Sequence, residues 1–349
     1  NAACIEATED HEAPIVLNSS GFQGSAILCI TEDHGSVFIT TQGNPGEYYE
    51  RAGNKLYSMS FSLDESLTML ARAVASTGAL DGKVIGVVAA DTPGQAEAVQ
   101  AGLIDVLRDE FNIEVARFDV IGCAGSSLCA EGVAESVSGM KRDGVNVLFP
   151  TLNVVSLPGY INEMVTQGFD PNALQIYNSD FNSQAGDLTS SKVVEFGGDA
   201  AGAMYDGTII YDSDATGAFR LPDYQPAQFD EMCNRVYTEN NESGDHYEQN
   251  VEEQSSPYGM VTTVCSEVRV MARALFAAGP NPTRDDIAAA LENLGPIDIG
   301  GMDPASFRPG KYTAPDVVYP LEFNFPCEVQ PAIRTCILPT GDAVLVERD

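Results

Sequence analysis

Basic residues are scarce in this chain of 349 residues. Only 18 Lys and Arg face 51 Asp and Glu, which gives a formal net charge of −33, and five of the 18 are Lys. Because such an acidic surface repels nucleic acids and anionic lipids, we expect neither as a partner. Solubility alone would explain the acidity, but a Lys-poor, carboxylate-rich surface also suits concentrated salt, where counter-ions screen it. We therefore interpret the chain as an acidic, halophilic protein.

Long apolar runs and enzyme motifs are absent as well. No window approaches the ~18 consecutive apolar residues of a membrane-spanning helix, so we expect no span. The sequence has no GxSxG elbow, no HExxH motif and no glycine-rich phosphate loop. Its paired carboxylates are too common to indicate a catalytic site. We therefore predict a protein that is not an enzyme and that uses no cofactor.

The eight cysteines indicate disulfides. Their even number, the lack of a CxxC motif and the scatter of only three histidines argue against a metal site. Disulfides imply an oxidising compartment, so we expect a secreted or cell-envelope protein. Pairing of sequence neighbours is one of about 105 connectivities, and we favour it because it closes a Gly-Ser loop and a hairpin. The pairs are then Cys4–Cys29, Cys123–Cys129, Cys233–Cys265 and Cys327–Cys336.

Strands and helices alternate through most of the chain. Residues 83–90 are an apolar run rich in Val and Ile, 91–94 are a turn, and 95–110 form an amphipathic helix. This order predicts a buried parallel strand whose carboxyl end opens into a loop, where α/β sheets bind ligands. The other predicted strands are 13–17, 36–41, 115–121, 145–149, 174–177, 202–211, 319–325, 332–338 and 343–347. The other predicted helices are 22–30, 63–76, 130–142, 158–167, 229–239, 258–278 and 283–293.

Four stretches carry a family resemblance: SVFITTQGNP, KVIGVVAADTPGQAEAVQAGL, GVNVLFPTLNVVSLPGYINEMVTQGFDP and QIYNSDF. With them, and in its order of elements, the chain resembles the type I periplasmic binding proteins, in particular the branched-chain amino acid and amide branch that serves ABC transporters. The resemblance implies an α/β protein with two Rossmann-like lobes, whose parallel sheets are joined by a three-crossing hinge and close on a ligand. Lobe 1 would be residues 1–82 and 209–322, and lobe 2 residues 83–208 and 323–349. Relative to that family the N-terminal β-α-β of lobe 1 is missing, so we expect a longer biological chain.

Two loops of lobe 1 are candidate ligand sites. Ser19, Ser20 and Gly21 precede a predicted helix, and the N–H groups of a helix N-terminus suit a carboxylate. The resemblance implies that this loop and the next strand-end loop, with Thr41, Gln42 and Asn44, hold the α-carboxylate of the ligand. The alternative is that the first loop only caps its helix and that the second is only a turn.

Strand ends of lobe 2 supply further candidates. Asp180 follows the strand 174–177, where the resemblance implies an acid that binds a ligand ammonium; a solvated Asp is the alternative. Asp91, Thr92 and Asn153 follow two other strands. Tyr258 begins a long helix and would stack on the ligand, although a place in the core or at the rim explains it better.

A calcium-loop pattern is present only in part. The segment from Asp212 to Gly217, with Asp223, has the D-x-D-x-x-G order. Arg220 stands at position nine of the twelve-residue pattern, where a ligand is expected, and flanking helices are not predicted. A strand-end loop of solvated acids therefore fits better. We expect no metal site here.

The resemblance thus predicts an extracytoplasmic solute-binding protein of an ABC transporter. It would capture a small amino acid, amide or similar polar ligand by hinge closure and would deliver it to the transporter permease. Two alternatives stay open, because a fold does not determine a function. One is a ligand-sensing receptor ectodomain, and the other is a secreted, assembly-forming structural protein.

Overall fold

The computed structural model describes most of the chain, namely residues 2–19, 24, 26–179, 186, 190–244, 246, 261–302 and 304–346. Its strands form an eight-stranded sheet, a three-stranded sheet and a two-stranded ribbon. The strands are β1 (Ile15–Asn18), β2 (Val37–Thr40), β3 (Leu56–Ser58), β4 (Ile85–Ala90), β5 (Arg117–Ile121), β6 (Val147–Thr151), β7 (Gln175–Ser179), β8 (Ile209–Asp212), β9 (Gly295–Pro296), β10 (Ser306–Phe307), β11 (Val317–Asn324), β12 (Cys336–Pro339) and β13 (Val344–Leu345).

Helices connect most of these strands. They are α1 (Ala2–Ile5), α2 (Ala26–Leu28), α3 (Gly46–Ala52), α4 (Leu63–Ser76), α5 (Gln95–Val99), α6 (Asp105–Phe111), α7 (Val133–Arg142), α8 (Leu157–Thr166), α9 (Lys192–Tyr205), α10 (Gln228–Asn240), α11 (Val261–Ala278) and α12 (Arg284–Glu292). A π-helical turn, Gln100–Ile104, links α5 to α6.

The eight-stranded sheet, here called the large sheet, is parallel through its centre. Its order is β12-β11-β8-β7-β6-β4-β5, with β13 beside β11. Five neighbouring strands of this sheet are parallel, namely β8, β7, β6, β4 and β5. Strand β11 pairs antiparallel with β8. Every residue of β4 and β6 is buried, which explains why these strands show no alternation of polar and apolar residues.

Helices cover both faces of the large sheet. On one face, side chains of α7, α8 and α9 such as Met140, Tyr160 and Tyr205 pack against Val88 and Leu148. On the other face, side chains of α4, α5 and α6 pack against Ile85, Val87, Phe149 and their neighbours. This three-layer arrangement confirms the predicted α/β fold class.

The three-stranded sheet, here called the small sheet, is parallel in the order β1-β2-β3. Phe38 of β2 joins a core with Tyr48 and Tyr49 of α3. Its neighbours Val37 and Ile39 point to the opposite face, where α11 and α12 pack. The small sheet therefore also has helices on both faces.

Helix α4 has the bounds that the sequence predicts. Ser62 caps it, because the Ser62 side chain accepts from the Glu65 N–H while the Glu65 carboxylate accepts from the Ser62 N–H. Leu67, Leu70 and Val74 are buried in the core of the large sheet. The lobe boundary that the sequence predicts after residue 82 would place α4 in a different lobe from the large sheet that it covers.

Several segments differ from the predicted elements, including the ribbon of β9 and β10, which is not predicted, and β12, which begins only at Cys336. Residues 202–211 are predicted as one strand, but α9 ends at Tyr205 and β8 begins at Ile209. Gly207, with a φ of 72°, lies in the turn between them. A short apolar run cannot be assigned to a helix or a strand by periodicity alone. Helix α3 and strand β3 are not predicted, because each is short and shows little periodicity.

The disulfides pair as predicted. The bonds are Cys4–Cys29, Cys123–Cys129, Cys233–Cys265 and Cys327–Cys336, so all eight cysteines are bonded. Among the described helices, none combines the length and the apolar character that a membrane crossing requires.

Glu267 is a buried acid on α11. It is 1% exposed, and its Oε1 has no hydrogen-bond partner among the described residues. Burial raises the pKa of this carboxyl from 4.5 to about 7. The folded protein therefore holds a proton at a pH where the unfolded chain has already released it.

We expect this proton to make the protein more stable at low pH. The Glu267 contribution to the free energy of unfolding should be fully present below pH 4.5 and should be lost as the pH rises through about 7. The slope should be on the order of 1 kcal/mol per pH unit, and Glu267→Gln should reduce it. Urea unfolding on both sides of this window measures the slope. The exposed Glu231→Gln on α10 should keep the wild-type slope, and an unchanged slope in Glu267→Gln would contradict the prediction.

Candidate functional site

One group of predicted site residues lies at the carboxyl end of the small sheet. The Thr41 N–H donates to the Asn18 carbonyl at 3.2 Å, which joins the ends of β1 and β2. Asn44 is 3% exposed, and its Nδ2 donates to the Gln42 carbonyl at 3.1 Å. Asn44 therefore stabilises its own turn. Ser19 follows β1 and is partly buried.

A buried acceptor lies in the same place. The Oδ1 of Asn18, the last residue of β1, is buried and has no hydrogen-bond partner among the described residues. Buried side-chain oxygens normally accept a hydrogen bond from protein or water. This oxygen is suited to accept from a ligand N–H or O–H group.

A second group lies at the carboxyl end of the large sheet. Asp91 follows β4 and is exposed, and its Oδ1 accepts from the Cys123 N–H at 2.7 Å. The Thr92 Oγ1 lies 3.8 Å from the Cys123 Sγ. Both residues thus contact the loop that the Cys123–Cys129 disulfide closes.

The side-chain amide of Asn153, which follows β6, forms its hydrogen bonds within the protein. Its Nδ2 donates to the Ser127 carbonyl at 2.7 Å, which holds the same disulfide loop. Its Oδ1 accepts from the N–H groups of Val155 and Ser156, at 3.1 and 2.9 Å, just before α8. An Asn at a helix start commonly bonds in this way. The structure thus gives Asn153 a role in positioning two loops.

The loops after β2 and β4 approach each other at one point. Gly94 follows β4, and a Cβ built on it would lie 2.8 Å from the Pro45 Cγ and 3.4 Å from the Glu47 Oε1. Pro45 follows β2 of the small sheet. Beside this contact, the Gly46 N–H donates to the Asp64 carboxylate of α4 at 2.5 Å. A loop at the carboxyl end of the small sheet therefore touches a loop at the carboxyl end of the large sheet.

Two residues of this region, Gly94 and Gln95, are not among the site residues predicted from the sequence. Gly94 has a φ of 78° at the start of α5, and Gln95 is 4% exposed with its Nε2 donating to the Thr151 carbonyl at 2.7 Å. The turn Asp-Thr-Pro-Gly before a helix could have indicated Gly94. Its contact with Pro45 could not be found in this way, because the two residues are far apart in sequence.

Four predicted site residues lie outside the described part of the chain. They are Ser20, Gly21, Asp180 and Tyr258. Their roles stay predictions, as do the ligand contacts of the seven described candidates.

Comparisons with known proteins bear on the fold of the chain. No family model matches the chain, and no curated protein does either. Solved structures do match. One is a solute binding protein of an ABC transporter from Rhodopseudomonas palustris BisB5 in complex with 3,4-dihydroxybenzoic acid. It is 13% identical, with 100% of this chain and 83% of that chain covered and a TM-score of 0.69.

Two further structures are similar over nearly the whole chain. A solute binding protein from R. palustris HaA2 in complex with p-hydroxybenzoic acid is 9% identical, with 99% and 83% of the two chains covered and a TM-score of 0.73. A branched chain amino acid ABC transporter protein from Thermus thermophilus with bound valine is 12% identical, with 98% and 80% covered and a TM-score of 0.65. Identities this low bear on the fold alone. The chain therefore has the fold of the type I periplasmic binding proteins, as the sequence predicts.

Proposed function

We propose that this protein is an extracytoplasmic solute-binding protein that captures a small amino acid, amide or similar polar ligand for an ABC transporter permease. The observation that carries the proposal is the contact between Gly94 and Pro45. It joins a strand-end loop of each sheet, and closure of two lobes there would bury a ligand between their polar groups and supply affinity. The four disulfides support a compartment outside the cytoplasm.

The proposed hinge would consist of segments by which the chain passes between the lobes, and two of these segments run side by side. The Ser58 N–H donates to the Tyr312 carbonyl at 2.9 Å, and the Ala314 N–H donates to the Ser58 carbonyl at 2.8 Å. Helix α4 packs on the large sheet, and β8 and β11 belong to it. We therefore propose that the chain passes between the lobes at other places than the lobe boundaries predicted from the sequence. The proposed crossings are residues 59–62, 213–216 and 313–316.

The ligand would carry both a carboxylate and an amine or amide. The valine and hydroxybenzoates bound to the similar structures all contain a carboxyl group. We propose that the loops with Ser19, Ser20, Gly21, Thr41 and Gln42 bind this group. Asp180 would bind the ammonium or amide N–H, because a carboxylate makes a charge-assisted bond to it. Asp91, Thr92 and Tyr258 would contact the rest of the ligand.

A thermal-shift screen tests the binding role. Free amino acids such as valine, small amides, 4-hydroxybenzoate and 3,4-dihydroxybenzoate are added singly to the purified protein. A ligand that binds only the folded state raises the melting temperature as its excess over Kd grows. We expect one amino acid or amide to give such a rise. A flat response to the whole panel would count against the transport role.

An Asp180 variant tests the ligand class. If the ligand is an amino acid, Asp180→Asn should weaken binding by about 1.5–3 kcal/mol in calorimetry, since a hydrogen bond to a charged group is lost. The matched variant Asp170→Asn changes an exposed acid before β7 and should leave affinity unchanged. A response to hydroxybenzoates alone, equal in Asp180→Asn, would remove the amine from the proposal.

Gly94 tests closure. The added methyl group of Gly94→Ala would meet Pro45 at 2.8 Å and should hold the two loops apart. We expect at least a ~10-fold loss of ligand affinity, or about 1.4 kcal/mol, and a larger radius of gyration in small-angle scattering with ligand present.

Gly132→Ala is the matched control for this variant. Gly132 starts α7 with a φ of 81°, close to the 78° of Gly94, but nothing lies within 4 Å of a Cβ built there. Both variants carry the same backbone strain, so Gly132→Ala should lose a similar amount of stability and keep its affinity. Equal affinity in the two variants would show that the loops need not touch.

The net charge of −33 supports a halophilic protein. We expect the melting temperature to rise between ~0.1 and ~2 M NaCl, because the Debye length falls from about 10 Å to under 3 Å and repulsion between surface carboxylates is screened. KCl, which screens equally, should act in the same way. A melting temperature that stays level or falls would exclude salt adaptation.

A further inference from the structure

Two carboxyl groups lie against one loop of the protein. Asp214 follows β8, and Asp230 lies in the first turn of α10. Gly300 and Gly301 belong to the loop between β9 and β10. A Cβ built on Gly300 would lie 2.6 Å from the Asp230 Oδ1, and a Cβ on Gly301 would overlap the Asp214 carboxyl. Two adjacent glycines thus allow both carboxyls to reach the same stretch of backbone.

One carboxylate oxygen of this pair has no partner in the described part of the chain. Asp230 is 9% exposed, and its Oδ1 is buried without a hydrogen bond among the described residues. Burial and then the charge of Asp298 raise the pKa of this carboxyl, while a hydrogen bond from the Ala227 N–H acts in the opposite direction. Asn234, one turn further along α10, also has a buried Oδ1 without a partner. Both unpartnered atoms are acceptors, and a buried acceptor without a donor is destabilising.

No described basic residue compensates the two acids. Every Lys and Arg except Arg348 is in the described part of the chain, and none there forms an ion pair with Asp214 or Asp230. Arg269 pairs instead with Asp298 at 3.4 Å. Burial, and then the charge of Asp230, raise the pKa of Asp214 to about 7. Among the described residues, the site therefore has two acids and acceptor oxygens but no Lys or Arg in an ion pair with them.

We propose that Asp214 and Asp230 bind a hard divalent cation, with calcium as the best fit, and that the Asn234 Oδ1 assists. All the available protein atoms are oxygens, and calcium takes six to eight oxygen ligands in flexible geometry, including carbonyls and waters. Nitrogen or sulfur ligands, which zinc prefers, are not offered by these residues. The cation would join the segment after β8, α10 and the loop of Gly300 and Gly301.

This site differs from the calcium-loop pattern in the sequence. Asp212, the first acid of that pattern, is 3% exposed, and its carboxylate faces the Ser213 and Thr216 hydroxyls of its own loop, at 3.4 and 3.5 Å. The reading of this loop as solvated acids does not hold for Asp212, which is buried. Asp230, the acid that would bind the cation together with Asp214, lies on α10 and outside that loop pattern.

Calcium alone is the probe. The whole protein is treated with EDTA, dialysed into ~1 M NaCl and titrated with CaCl₂ by calorimetry and thermal unfolding. The Debye length there is about 3 Å, so diffuse binding to the acidic surface is suppressed. We expect one calcium per chain and a melting temperature that rises with the logarithm of calcium concentration above Kd.

Three variants make the test specific. Asp214→Asn and Asp230→Asn should each weaken calcium binding at least ~10-fold, about 1.4 kcal/mol. In EDTA they should melt at or above the wild-type temperature, because an amide replaces an uncompensated buried charge. Glu239→Gln, a control at an exposed acid near the end of α10, should bind calcium as the wild type does.

Two results would overturn the proposal. One is a stripped wild-type protein that gains no stability from calcium and is stabilised by acid alone, which would indicate that the two carboxyls are held by protons. The other is a double variant, Asp214→Asn with Asp230→Asn, that responds to calcium as the wild type does, which would indicate surface binding.

Discussion

The burial of parallel strands on both faces is the constraint on which the rest of this structure depends. All six residues of β4 and all five of β6 are buried, so helices must cover the large sheet on either side. Each helical crossover returns the chain to the same edge, and every parallel strand therefore ends in a loop at one carboxyl edge. The small sheet follows the same rule, which brings Pro45 against Gly94.

What the sequence predicts well is what short-range interactions decide. The bounds of α4 follow from a cap and its partner three residues later, Ser62 and Glu65, and from an apolar stripe. The end of α9 and the start of β8 depend instead on packing partners, since residues 202–211 form an apolar run that suits either element. The lobe to which α4 belongs is also a packing property, because its buried face meets β4 and β6.

The same distinction between short-range and long-range interactions applies to the candidate site. Strand-end loops could be predicted from element order, but the hydrogen bonds of their side chains could not. Asn153 donates to Ser127, which lies 26 positions earlier in the disulfide loop, and Asp91 accepts from Cys123, 32 positions later. Polar residues predicted to contact a ligand thus partly serve to fix neighbouring loops. Such positioning is what a preformed binding surface requires, because loops that are already ordered lose less entropy on binding.

The scarcity of cations connects the surface to the interior. Lys311, one of the five lysines, is 4% exposed, and its Nζ donates to the Thr313 and Ala314 carbonyls at 2.7 and 2.8 Å. It also lies 3.3 Å from Asp316. Basic residues used in this way are not available to compensate other acids, on the surface or inside. A chain with a charge of −33 must then take compensating charge from the solvent, diffusely around its exposed carboxylates, and the cation that we propose at Asp214 and Asp230 would be a local case of the same compensation.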